Sequence, residues 1–194
     1  DQATERNAVR LLDFAASHPD IRLLFVNDGS DDGTPGILDG LRGAAPGALD
    51  VIHLPARTGK GGAVRTGILE ALRRQPDLVG FWDADLATPL AAVDDFLAVA
   101  SKRPDLDIIM GSRVMLMGRD IRRKAWRHYL GRVFATAVSL TLDLPVYDTQ
   151  CGAKVFRRVD AVAEAFAAPF HSAWIFDVEV LARYLAVPVE PGAP

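Results

Sequence analysis

The sequence predicts an α/β domain built on a mostly parallel sheet with helices on both faces. Three observations carry that prediction. Short apolar runs alternate with segments whose apolar residues recur every three or four positions, the patterns of buried strands and amphipathic helices. The runs show little polar–apolar alternation, as strands covered on both faces require. Clusters rich in Gly, Asn, Asp and Thr follow several runs and mark the turns from strand to helix.

In order, a helical pattern over about 5–17 opens the chain, and "IRLLFV" (21–26) is the first strand. "TPGILDGLR" (34–42) is a helix, with Thr34 as its expected cap and Pro35 at its first position. "DVIHL" (50–54), "LVGFW" (78–82) and "LDIIMG" (106–111) are further strands. Between them, "GGAVRTGILEALRR" (61–74) and "LAAVDDFLAVASK" (90–102) carry helical spacing. A long amphipathic helix is predicted over 120–142, with Trp126, Tyr129, Leu130, Val133, Phe134, Ala137 and Val138 on one face. Its other face is rich in arginine. After Pro145, "YDTQCGAKVF" predicts a loop and a short strand, followed by a helix over 176–185.

The bulk properties fit one globular unit. The 194 residues are 49% hydrophobic and 24% charged, enough to form a sizeable core. A net charge of −3 supplies no general attraction for nucleic acid. Cys151 is the single cysteine, which excludes an intrachain disulfide and fits a reducing compartment. The longest uncharged apolar segment, 133–142, is about half the roughly 20 residues of a spanning helix.

Three loops at predicted strand ends carry candidate chemistry. "VNDGSDDGT" (26–34) puts Asn27 and Asp28 at a strand's C-terminal end; it is either an ordinary turn or a site where Asp28 accepts hydrogen bonds from a base or ribose. "RTGKGGAVRTG" (57–67) places Lys60 and three glycines before a helix, a flexible loop or a diphosphate contact. It is not a Walker motif, because Gly61 follows Lys60. "DADLATP" (83–89) ends a strand with two carboxylates that repel one another unless a cation bridges them. Such hard oxygen ligands suit Mg²⁺ or Mn²⁺; the alternative is a solvated turn. Together, three such loops on one predicted sheet edge form what a nucleoside diphosphate needs.

These motifs, with "GSR" (111–113) and "DTQCGAKVFRR" (148–158), resemble the family-two glycosyltransferases of GT-A (nucleotide-diphospho-sugar transferase) fold, over nearly the whole chain. Within that group they are similar to the polyprenyl-phosphate enzymes of dolichyl-phosphate β-glucosyltransferase type. The resemblance implies inverting transfer of glucose from UDP-glucose to a dolichyl or undecaprenyl phosphate, with Mg²⁺ or Mn²⁺. It implies a nucleotide set of Asn27, Asp28, Lys60, Gly61, Arg65, Asp83, Arg113 and Arg123, with Asn27 where aspartate is more usual. Asp85 and Asp83 are the implied metal ligands, and Asp83, Asp85, Asp148 and Asp177 the implied catalytic acids. Gln150 falls in the acceptor loop, Glu179 near the position of a base, and Arg122, Arg123 and Arg127 among phosphate contacts. A lipid acceptor implies peripheral contact with a membrane surface at its cytoplasmic face, through the basic helix. That helix also reads as a solvated face.

Mannosyl relatives usually carry glutamine where this chain has Ala87, so the departure favours glucose. GDP-mannose as donor, or a non-lipid acceptor, is the alternative; a flavodoxin-like signalling domain fits the "GKGG" loop and the basic helix poorly. Family members begin with a strand ending in a "PAYNE"-like turn, whereas this chain opens on a helix. The expected architecture is therefore a single GT-A domain over 1–194, lacking that first central strand in the sequence read here.

Overall fold

A computed structural model describes residues 2–112 and 149–188. The predicted helix over 120–142, and with it Arg113, Arg122, Arg123, Arg127 and Asp148, lies outside the described residues. The elements run α1 (Gln2–Ser17), β1 (Leu23–Asn27), α2 (Thr34–Ala44), β2 (Leu49–His53), α3 (Gly59–Leu72), β3 (Leu78–Trp82), α4 (Ala92–Lys102) and β4 (Ile108–Met110). They continue with β5 (Ala153–Arg157), α5 (Asp160–Ala167) and α6 (Phe176–Ala186).

The expected alternation of strand and helix is present. β1 and β2 pair in parallel, Leu23 opposite Leu49 and Asn27 opposite His53. The second sheet has the order β3-β5-β4, with β5 antiparallel to both neighbours. Among the described residues it is the one strand antiparallel to two neighbours, in an arrangement the sequence predicted to be mostly parallel. β5 sits centrally, and its first four residues are buried, Lys154 included. Among the described residues the outer edges of β1 and β3 have no ladder partner. At this junction α1 joins residues of β1 to residues of β3. There Leu11 and Phe14 of α1 pack with Leu86, Leu90, Leu23, Phe25 and Trp82.

The largest core cluster joins α3, β3, β5, α5 and α6 through Ile68, Val79, Phe156, Val162, Phe166, Phe176 and Val180. Burying each aromatic ring stabilises the fold by about 1.5–3 kcal/mol, so this cluster fixes how α6 lies against β5. Helix α5 was not anticipated, although Val162, Ala165 and Phe166 have helical spacing and are buried. Thr34 does not cap α2. Gly33 stands at the cap position, and the Asp32 carboxylate accepts from Thr34 N, the first amide of the helix, at 2.9 Å.

Candidate active site

The turn after β3 treats its two aspartates differently. Asp83 N donates to Gly152 O at 2.7 Å, extending the β3–β5 ladder by one residue. Leu86 N then donates to Asp83 O at 3.0 Å, and Asp85 Oδ1 accepts from Ala87 N at 2.9 Å. Leu86 adopts φ 53°, a left-handed conformation that costs a non-glycine residue about 1–2 kcal/mol. Its buried side chain offsets that strain and holds the turn. In consequence Asp83 is half-buried and faces Lys60, while Asp85 is exposed.

Lys60 reaches Asp83 from the first turn of α3, with Nζ 2.7 Å from Oδ1 and 2.9 Å from Oδ2. Gly152 lies directly behind the carboxylate: a Cβ there would stand 1.9 Å from Asp83 Oδ2. The "DADL" turn, the "GKGG" loop and the "QCG" loop, which flank strands of two different sheets, therefore meet at one carboxylate.

Asp28 is placed at the same edge, but both its oxygens are engaged. Oδ1 accepts from Thr58 N at 2.6 Å and Thr58 Oγ1 at 2.8 Å, and Oδ2 accepts from Gly59 N at 2.9 Å. Burial opposes ionisation, yet these bonds together hold the carboxyl below its usual range. Gly61 N is likewise taken by Ala173 O at 3.0 Å. Three amides at the start of α3 are thus paired within the protein, and the Lys60 ammonium, rather than these amides, offers the positive charge. Asn27 is buried; its Oδ1 accepts from Ser30 N at 3.2 Å and its Nδ2 contacts His53 Nδ1 at 3.1 Å.

Arg65, expected at the nucleotide, is turned elsewhere. Its Nε donates to Phe166 O at 2.8 Å and its Nη2 to Ala167 O. Arg183 Nη1 donates to Ala168 O at 2.6 Å, so the two guanidinium groups together satisfy carbonyls at the end of α5. Glu179, expected near the position of a base, instead clamps the loop before α6. It accepts from His171 N at 2.9 Å and pairs with Arg183 at 2.6 Å.

Asp177 is not open to an acceptor. It is 4% exposed, and its Oδ1 lies 2.5 Å from Lys154 Nζ, which is itself fully buried. Burial pushes the Asp177 carboxyl up and the Lys154 ammonium down, against their mutual attraction. Lys154 is the site-proximal residue that sequence reading missed. A lysine inside "GAKVF" looks like an ordinary polar interruption, and nothing local signals its burial. Cys151 is buried in a cluster with Phe96, Ala153 and Val155, where it serves packing.

Among the described residues no group of three or more His, Cys, Asp or Glu side chains could hold a metal ion. The donor set suits a hard divalent ion in one way only. Asp85, exposed and acidic, would supply an oxygen ligand, and a bound diphosphate and water would supply the rest. No helix of the described residues is long and apolar enough to cross a membrane.

Comparison with known proteins agrees with this architecture. Residues 5–162 match the family described as Glycosyl transferase family 2. The chain is 38% identical over 173 residues to a dolichyl-phosphate beta-glucosyltransferase of Drosophila melanogaster, covering 84% of this chain and 50% of that protein. The corresponding protein of Dictyostelium discoideum is 32% identical over 175 residues, covering 86% and 52%. A polyprenol monophosphomannose synthase of Mycolicibacterium smegmatis is 30% identical over 141 residues, covering 72% and 52%. The chain thus spans about half the length of these curated relatives. With its strands and helices in alternation, its parallel pair and a family match over most of its length, the chain belongs to glycosyltransferase family 2 and has the GT-A fold.

Proposed function

We propose that this domain transfers glucose from UDP-glucose to a polyprenyl phosphate. The observation that carries the reading is the Lys60–Asp83 pair, seated beside the exposed Asp85 where three strand-end loops meet. A nucleoside diphosphate offers Lys60 an alternative anion, and the sugar hydroxyls would then hydrogen-bond to the released Asp83. Mg²⁺ or Mn²⁺, held by Asp85 and the diphosphate, would screen charge on the departing UDP. The chain's own residues have the remaining tasks of alignment and neutralisation. A phosphate monoester acceptor is already anionic at neutral pH, so no strong base is required. The burial of Asp177 accords with that chemistry.

Two relatives named above act, by their names, on dolichyl phosphate with a glucosyl group, which supports the acceptor and sugar. The mannosyl relative supports a second reading with GDP-mannose as donor. Ala87 favours glucose between them. A polyprenyl acceptor puts the reaction at a membrane surface, reached peripherally. The test is to incubate the protein with membrane lipid and radiolabelled UDP-glucose, UDP-galactose or GDP-mannose in parallel. Label should enter the lipid phase from UDP-glucose. Label from GDP-mannose alone would establish the second reading, and label from none would overturn both.

A further inference from the structure

The buried Lys154–Asp177 pair has no part in the chemistry above, yet it stands one peptide away from Asp83. Lys154 is opposite Phe81 in the β3–β5 register, and its ammonium lies 5.1 Å from that ring. It donates to Asp177 Oδ1 at 2.5 Å and to Cys151 O at 2.7 Å. That carbonyl belongs to the Cys151–Gly152 peptide, so the ammonium fixes the rotation of the plane leading into Gly152. Gly152 in turn accepts from Asp83 N through its carbonyl, and its Cα lies against the Asp83 carboxylate. The chain of contacts is continuous: Asp177, Lys154, Cys151 O, Gly152, Asp83, Lys60. Charge links its ends as well. The Lys60 ammonium favours the charged form of Asp177 and disfavours that of Lys154.

Stability does not account for such a pair. Removing two charges from water costs several kcal/mol each, and apolar residues of similar volume often serve a core as well or better. The surrounding cluster of Phe81, Phe156 and Phe176 could have been completed by two aliphatic side chains. What an aliphatic residue cannot do is grip the Cys151 carbonyl.

We propose that Lys154, oriented by Asp177, is a positioning residue that sets the Cys151–Gly152 peptide and thereby seats the Asp83 carboxylate for the donor sugar. The inference rests on the proposed glycosyl transfer for its kinetic consequence, but its structural half is measurable without any donor.

The test compares the wild-type chain with Lys154→Met/Asp177→Leu, which removes both charges together and leaves no orphaned ion; Asp177→Asn, which keeps an acceptor for Lys154, is the milder variant. Amide hydrogen exchange is read first, without ligand. In the double variant, exchange at Asp83 should quicken at least about tenfold, while Val79 and Phe81 in the same ladder keep their protection. With donor and lipid acceptor, kcat should fall by about 10–100-fold, the usual effect of removing a group that orients a reacting residue. The donor KM should change little, because Lys60 still grips the diphosphate, and Asp177→Asn should lie between the two. A folded double variant with wild-type exchange at Asp83 overturns the proposal, as does wild-type kcat despite faster exchange. A wild-type chain that turns over no sugar nucleotide overturns the proposed transfer, and the exchange comparison then decides the positioning role alone.

Discussion

Lys60 and Asp83 are joined through both carboxylate oxygens, at 2.7 and 2.9 Å from one ammonium, across the mouth between α3 and β3. Each is about one-third exposed, so the pair is accessible to a competing ligand. On the proposed reading, a bound diphosphate would compete with Asp83 for Lys60 and free that carboxylate for the sugar, so that binding and site assembly would be one event.

Lys60→Met should weaken UDP binding by about ten- to a hundredfold, since hydrogen bonds to charged groups contribute about 1.5–3 kcal/mol and each 1.4 kcal/mol is tenfold. Asp83→Asn loosens the tether on Lys60, so UDP should bind at least as tightly as to wild type while glucosyl transfer falls. Calorimetric titration with UDP measures both. Unchanged affinity in Lys60→Met would remove that lysine from the ligand seat.

Gly152→Ala forces a methyl group to 1.9 Å from Asp83 Oδ2, which no rotation of the new side chain relieves. The Asp83 carboxylate must move. The variant should lose transfer activity and about 1–3 kcal/mol of stability, the cost of overpacking. Gly40→Ala is the control: it lies exposed on α2 with open space around it, and should be neutral or stabilise by up to about 1 kcal/mol. Thermal melts beside transfer assays distinguish the two sites.

The elements were legible in the sequence where local pattern decides them, and the site's connections were not. "LVGFW" is a strand with the bounds its apolar run implies, and the loops after β1, β2 and β3 do touch, Asp28 bonding Thr58 and Gly59 and Lys60 bonding Asp83. The aspartate pair was recognisable as an electrostatic anomaly. Its resolution, one acid on Lys60 and the other in a turn, depends on partners that only the fold brings near. Asp28 meets Gly59 across 31 positions, and Lys154 meets Asp177 across 23. Arg65 shows the converse error. A basic residue after a glycine-rich loop suggests phosphate, but its place on α3 faces the end of α5, whose unpaired carbonyls attract it. α5 itself has a legible apolar spacing that the nearby acceptor-loop motif overshadowed.

Asp28 should make the α3 entry acid-sensitive. Its folded-state carboxyl titrates below its ordinary value near about 4. Stabilisation from the Thr58 and Gly59 bonds is thus present above that value and lost as pH falls through the folded-state value. Asp28→Asn should lower stability at neutral pH by about 1 kcal/mol and flatten the decline of stability on acidification below about pH 4. Urea unfolding at a series of acidic pH values gives both quantities. An Asn variant with the wild-type acid slope would assign the acid sensitivity elsewhere.

Tyr184 contributes to the alkaline decline of stability in the same way with the opposite sign. Burial, and then its hydrogen bond to Asp107 Oδ2 at 2.6 Å, push its phenol up to about 12. The unfolded chain ionises near about 10, so it binds fewer protons than the folded chain between those values. Stability from this contact is complete below pH about 10 and declines as pH rises toward about 12. The contact ties α6, the helix that also carries Asp177, to Asp107 just before β4. Tyr184→Phe should abolish this part of the alkaline slope. At neutral pH it should cost about 1 kcal/mol, the net worth of one side-chain hydrogen bond. Tyrosinate absorbance followed alongside unfolding midpoints would check it: a residue titrating near 10 in the folded wild type, with an alkaline slope unchanged in the Phe variant, would refute the assignment.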